Sequence, residues 1–158
     1  MIIKSKKAFS MVTAIFVIVI MATVTSLIMN VTGKTIKETT QQYQKEQAAL
    51  LARSYTEQAI LYALHYDRVV NGNCVNEVNA TFGPNDNLYS IQTTIQYAGN
   101  SSQLPAGCDT IGTPWADTGT FGFQSTVSLI IDVYVRYKDF DDPANRDITF
   151  HRRTLQKL

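Results

Sequence analysis

Two histidines, a short run of aspartates and two cysteines are the side chains of this 158-residue sequence with the strongest chemistry. Histidine binds metals and moves protons near neutral pH, yet neither His65 nor His151 belongs to a metal-ligand motif such as H-x-x-x-H. Asp139, Asp141, Asp142 and Asp147 gather carboxylate oxygens in one short polar stretch, the raw material of a Ca2+ loop. Their spacing does not match the twelve-residue EF-hand pattern, and a solvated turn is the rival reading. No G-x-S-x-G, glycine-rich phosphate loop or Cys–His signature occurs. The expectation is a chain without catalytic residues or cofactor, not an enzyme.

Modification and binding offer more. Glu77-Val78-Asn79-Ala80-Thr81 contains an Asn-x-Thr acceptor preceded by an acidic residue, in the form of the longer bacterial N-glycosylation sequon, and a loop position is expected for it. Asn100-Ser101-Ser102 is a shorter match. Cys74 and Cys108 fall in predicted loops that flank a predicted strand; a disulfide is expected, with two free thiols as the alternative. Arg136, Lys138, Arg152, Arg153 and Lys157 make the C-terminal end basic. Such a patch can meet DNA phosphates, or it can guard an edge strand against aggregation. Direct contact with DNA is not the expectation, because the charge is spread thinly. Lys4, Lys6 and Lys7 carry +3, whereas from Lys34 onward 11 basic residues face 13 acidic ones.

The elements that must position these groups follow from punctuation and periodicity. Between Met1 and Asn71 the only Gly or Pro is Gly33, whereas all four prolines and the other seven glycines lie from Gly72 onward. A helical first half and a strand-and-loop second half are expected. Ala48, Leu51, Ala52, Tyr55, Ala59, Tyr62, Tyr66 and Val69 recur on one helical face, so Tyr55, Tyr62 and Tyr66 are expected in a core and the helix is expected to run to about Val70. Residues 71–87 read as a loop, 88–98 as an alternating strand, 99–119 as a loop and 121–137 as a long strand carrying Phe121 and Phe123 on its apolar face. A polar turn at 139–147 leads to a final strand at 148–155. The predicted fold is α+β, a long N-terminal helix packed on a small antiparallel sheet.

The same helix begins with 26 uncharged residues, Ala8 to Gly33, and 18 of the 24 from Ala8 to Val31 are apolar. At about 1.5 Å per residue this run spans a hydrocarbon core of about 30 Å. The lysines before it place Met1 in the cytoplasm and the rest outside by the positive-inside rule. A cleaved secretory signal and a simple signal anchor are the competing readings. Gly33 and the polar stretch 34–47 mark an expected soft point where the helix leaves the bilayer.

The junction Lys6-Lys7-Ala8-Phe9-Ser10-Met11-Val12 resembles the leader and cleavage motif of type IV pilins and type II secretion pseudopilins. The resemblance implies cleavage after Ala8 by a prepilin peptidase, methylation of Phe9 as the new N-terminus, and retention of the apolar helix first as membrane anchor and then as filament core. Gly is usual in that family where Ala8 stands, and Glu where Thr13 stands. The resemblance divides the chain into a leader (1–8), a transmembrane helix (9–33), its amphipathic continuation (34–70) and an extracytoplasmic β-rich region (71–158). It implies a minor pilin or pseudopilin whose partners are other such subunits, the peptidase and the membrane. The alternative is a signal-anchored extracytoplasmic binding domain that does not polymerise.

Overall fold

The structure, a computed structural model, describes residues 7–84, 88–112, 127–139, 142 and 144–158, with side chains from Met11 onward. Helix α1 (Lys7–His65) and a short α2 (Arg68–Asn71) precede four strands, β1 (Glu77–Phe82), β2 (Tyr89–Ala98), β3 (Ser128–Lys138) and β4 (Asp147–Lys157). The strands form one antiparallel meander in the order β1-β2-β3-β4. The fold is α+β, as the periodicity predicts. The chain divides into two compact units, one reaching to Gln42 and one of Tyr43–Leu158, and α1 contributes to both.

Within the second unit the helix meets the sheet along a spine of small residues. Gln44, Ala48, Ala52, Thr56, Ala59 and Ala63 are buried, at steps of three and four. With little side-chain bulk on this stripe, the volume of the core comes from the sheet. Alternate residues of β2 (Tyr89, Ile91, Thr93, Ile95, Tyr97) and of β3 (Leu129, Ile131, Val133, Val135, Tyr137) point inward and are buried. Gln44 ties the start of this stretch to both strands: its Nε2 donates to the Lys138 carbonyl at 3.3 Å, and its carbonyl accepts the Tyr89 hydroxyl at 3.5 Å.

Tyrosines do not form the spine, contrary to the sequence reading. Tyr62 is 46% exposed, Val69 is exposed, and Tyr55 and Tyr66 are half-buried. Tyr55 packs against the core from the margin of the buried stripe, whereas the Tyr66 hydroxyl donates to Asn73 Oδ1 and the exposed Tyr62 accepts Gln58 Nε2 at 3.0 Å.

The helix also stops earlier than Val70. After His65 the chain leaves the helix, and Asp67 adopts an extended conformation and caps a new one. Its Oδ1 accepts the amides of Val69 and Val70, both at 3.1 Å. Aspartate competes well for such donors at an N-cap and poorly in a helix interior, so a break here satisfies more groups than continuation would. Gly72, at φ +67°, closes α2 in the left-handed conformation that glycine adopts without strain, its amide donating to the Arg68 carbonyl at 2.9 Å.

The 71–87 segment, expected as a loop, contains β1. The strand sits at the sheet edge, and its exposure pattern is shallow, so the period-2 signal that marks β2 and β3 is weak in it. β2 matches the predicted 88–98 closely. β3 begins at Ser128, so the predicted 121–137 strand is found only from 128 on, with 121–126 outside the described residues. β4 extends from Asp147 to Lys157, beyond the predicted 148–155. Phe121 and Phe123 lie outside the described residues.

Candidate functional site

Residues 11–31 of α1 are long and apolar enough to cross a membrane. Their large side chains, from Met11 to Val31, are 46 to 74% exposed. A helix so apolar with every face uncovered requires an apolar surrounding. Its polar residues are arranged for one: the hydroxyls of Thr23 and Thr25 donate to the carbonyls of Ile20 and Met21, and Asn30 Nδ2 donates to the Ser26 carbonyl. Through the predicted soft point the backbone stays helical, with Thr35, Thr39 and Thr40 bonded to the carbonyls four residues earlier. The backbone of Ala8 and Phe9 is helical, within the first turn of α1. Lys4 and Lys6 lie outside the described residues.

Cys74 and Cys108 form a disulfide, with Cα atoms 4.7 Å apart and a sequence separation of 34. Such bonds form and persist in oxidising compartments, which is consistent with an extracytoplasmic domain. Asn76 fastens the same junction: its Nδ2 donates to the Gly107 carbonyl at 2.9 Å and its Oδ1 accepts the Asp109 amide at 3.0 Å. Beyond it, across a parallel bridge between Tyr97 and Thr110, the Tyr97 amide donates to the Asp109 carbonyl at 2.8 Å and the Tyr97 carbonyl accepts the Ile111 amide at 2.9 Å. The Tyr97 hydroxyl donates to the Val75 carbonyl at 2.7 Å, and burial pushes its pKa up to about 12, against the smaller opposing effect of the Arg68 charge.

The face of the sheet away from the helix spine holds a cluster that sequence reasoning missed. Asp132, 5% exposed, accepts two bonds from Arg153, Nε to Oδ1 and Nη2 to Oδ2, both at 2.8 Å. His151 Nε2 lies 2.6 Å from the same Oδ1, and the His151 ring stacks on Tyr134 with centroids 4.4 Å apart. The Arg153 hydrogen bonds hold the Asp132 carboxyl below its ordinary range against the opposing cost of burial, with His151 adding to the effect. The alternation signal was present, since Asp132 interrupts an apolar strand on its outward side and His151 and Arg153 share one face of β4. What was lacking was the register that sets Asp132 opposite Arg153 and Tyr134 opposite His151. Among the described residues no hydroxyl or thiol is bonded to His151. The cluster is a cross-strand clamp.

The basic residues are spread along the β3–β4 pair, with Arg136, Lys138, Arg153 and Lys157 exposed on its outward face. Arg152 lies on the helix side of β4, opposite Val133, whereas Arg153 faces outward and is engaged by Asp132. Lys138 and Lys157 mark opposite ends of the β3–β4 pair. Arg152 Nε is buried and finds no acceptor among the described residues. A charge held inward on an edge strand is a device against strand-to-strand association.

The aspartates are likewise dispersed. Asp142 is taken by Arg146 at 2.6 Å and by the Ala144 amide, Asp139 is buried, Asp147 opens β4, and Asp141 lies outside the described residues. Among the described residues no group of three potential metal ligands comes together. His65 ends α1, remote in sequence from His151 on β4.

Asn79 is on β1, not in a loop: the sequon is part of an edge strand. Its Nδ2 donates to Glu77 Oε1 at 3.0 Å, which also accepts Gln92 Nε2 at 3.0 Å. These two bonds, that from Asn79 foremost, lower the Glu77 pKa.

The arrangement offers an apolar helix able to anchor in a membrane and a disulfide-bonded sheet domain, consistent with a pilin-like architecture. No protein-family model matches the chain, and neither the curated proteins nor the solved structures contain a match.

Proposed function

We propose that the chain is a minor pilin or pseudopilin, a structural and assembly subunit of a type IV pilus, type II secretion or DNA-uptake filament. The observation that carries this reading is the exposed apolar stretch of α1, which begins at an Ala8–Phe9 junction of prepilin type, in a chain whose later helical residues pack on a four-stranded antiparallel sheet. A secreted enzyme or a soluble binding domain has no use for so large an unburied apolar surface. The proposed role is non-catalytic. The helix is held in the inner membrane with the sheet domain outside, and the partners are the prepilin peptidase and neighbouring subunits.

Thr13 supports a minor position. A buried carboxylate in a filament core is tolerable only when paired, and in the family the Glu at this place is thought to meet a neighbour's N-terminal ammonium. Threonine cannot neutralise that charge, and a subunit at a tip has no neighbour above it to engage in this way. Filaments built mainly of this chain would exclude a minor role.

The mature N-terminus tests the whole reading. Peptidase-dependent loss of eight residues and a methylated Phe9 are expected. An intact leader with Met1 would instead select a signal-anchored extracytoplasmic binding domain that never polymerises, a rival that the absence of Glu at Thr13 also fits.

A further inference from the structure

The sequence holds three Asn-x-Ser/Thr triplets, and the structure treats them very differently. Asn30-Val31-Thr32 is inside α1, among exposed apolar side chains, with its carboxamide bonded to the Ser26 carbonyl. Asn100-Ser101-Ser102 is closed off: Asn100 is 1% exposed, and its Oδ1 accepts the Ser102 amide at 3.1 Å and the Ser101 hydroxyl. In the sheet domain Asn79, unlike Asn100, presents its carboxamide to solvent.

On β1 the two-residue repeat of a strand sets Glu77, Asn79 and Thr81 on one face, and all three are exposed. An open groove of about 480 Å3 runs beside them, bordered by Asn79, Thr81, Ser90 and Gln92, room for a first sugar over the neighbouring strand. β1 is an edge of six residues, bonded among the described strands to β2 alone, so the acceptor segment can be drawn out of the sheet at the cost of few hydrogen bonds. The disulfide next to it requires the oxidising compartment in which N-linked transfer takes place.

We propose that Asn79 is an N-glycosylation site, the acceptor for an oligosaccharide carried on a polyprenyl pyrophosphate. In the transfer, Asn79 Nδ2 forms a bond to C1 of the reducing-end sugar and gives up one proton. The C1–O bond to the pyrophosphate breaks, and the lipid pyrophosphate leaves with the electron pair. The linked amide keeps one N–H, so its hydrogen bond to Glu77 Oε1 survives modification. Glu77 is then both the acidic residue two places before the acceptor and the group that orients the finished linkage. The proposal requires that the sheet domain be exported; it does not require that the chain polymerise.

The full-length chain is produced in a cell whose envelope contains an oligosaccharyltransferase of relaxed glycan choice and its lipid-linked donor, then mapped by peptide mass spectrometry. A glycan on the peptide spanning Asn79 is expected, lost in N79Q and in T81A, retained in T81S, and unaffected by N100Q. Intactness of the Cys74–Cys108 bond in the same sample reports export independently. An oxidised chain with bare Asn79, or a glycan on Asn100 in its place, overturns the proposal. Neither result bears on whether the leader is cut after Ala8.

Discussion

Gly107 lies so close to Asn73 that a Cβ added to it would stand 2.8 Å from the Asn73 Cβ and 3.0 Å from its Cα. The two residues form a parallel bridge one position away from each half-cystine, and the Tyr66 hydroxyl donates to Asn73 Oδ1. The contacts that a methyl group would meet are backbone and Cβ, which cannot swing aside. Gly107→Ala is therefore expected to destabilise the sheet domain by about 1–3 kcal/mol, read as a fall of several degrees in the thermal midpoint, while Gly33→Ala, where no atom lies within 4 Å, leaves it unchanged or slightly higher.

Reduction of the disulfide removes a cross-link that closes a segment of 34 residues. In the chain-entropy account this costs about 3–4 kcal/mol. Cys74→Ser with Cys108→Ser is expected to lower the denaturant midpoint accordingly while preserving the far-ultraviolet spectrum, because the bonds of Asn76 to Gly107 and Asp109 still hold the two loops together. Adding Asn76→Ala to the double variant should destabilise it further than it does the oxidised chain.

Asp132 gives the domain an acid-sensitive clamp. Its carboxyl titrates below the ordinary value near pH 4 because Arg153, and with it His151, bonds the charged form. A depressed carboxyl means that the unfolded chain binds more protons in that range, so stability rises with pH there. The contribution is complete above about pH 5 and drains away as the pH falls through the folded-state value. Asp132→Asn is expected to cost about 1 kcal/mol at neutral pH, discounted for the exposure of Arg153. The difference from the parent chain should shrink as denaturation is repeated towards pH 3. A constant difference at every pH would remove the charge from the explanation.

The alanine spine sets the spacing between helix and sheet. Ala52 and Ala59 are fully buried, so Ala52→Leu forces the two apart and is expected to cost about 1–3 kcal/mol. Leu50→Ala, on the exposed side of the same helical turns, is expected to change stability by less than about 0.5 kcal/mol. Chemical denaturation of both variants distinguishes a close-packed spine from a merely apolar one.

What could be read in advance depended on how local each signal was. β2 and β3 announce themselves because Ile91, Thr93, Ile95 and Tyr97, and Leu129 through Tyr137, alternate along uninterrupted strands that bury one face. The disulfide was legible from two cysteines placed on either side of a strand. β1 was not, because an edge strand holding Glu77, Asn79 and Thr81 buries too little to show its period. The break at Asp67 was a capping signal outvoted by apolar periodicity that continued through Val69 and Val70. Tyr62 misled because periodicity within one helix identifies a face but not its centre, and the sheet chose the alanines. The Asp132 clamp joins residues 19 and 21 positions apart, and only strand register brings them together. The helix hydropathy was plain throughout.

Thr23, Thr25 and Asn30 find their acceptors on the preceding turn of their own helix. These bonds belong to the helix itself and not to a particular surrounding. A helix furnished in this way can pass from one apolar host to another without exchanging these three hydrogen bonds, while the second N–H and the Oδ1 of Asn30, which they do not use, still have to be accommodated. Its migration is then governed by the shape and area of the new host, which makes the helix portable rather than merely hydrophobic.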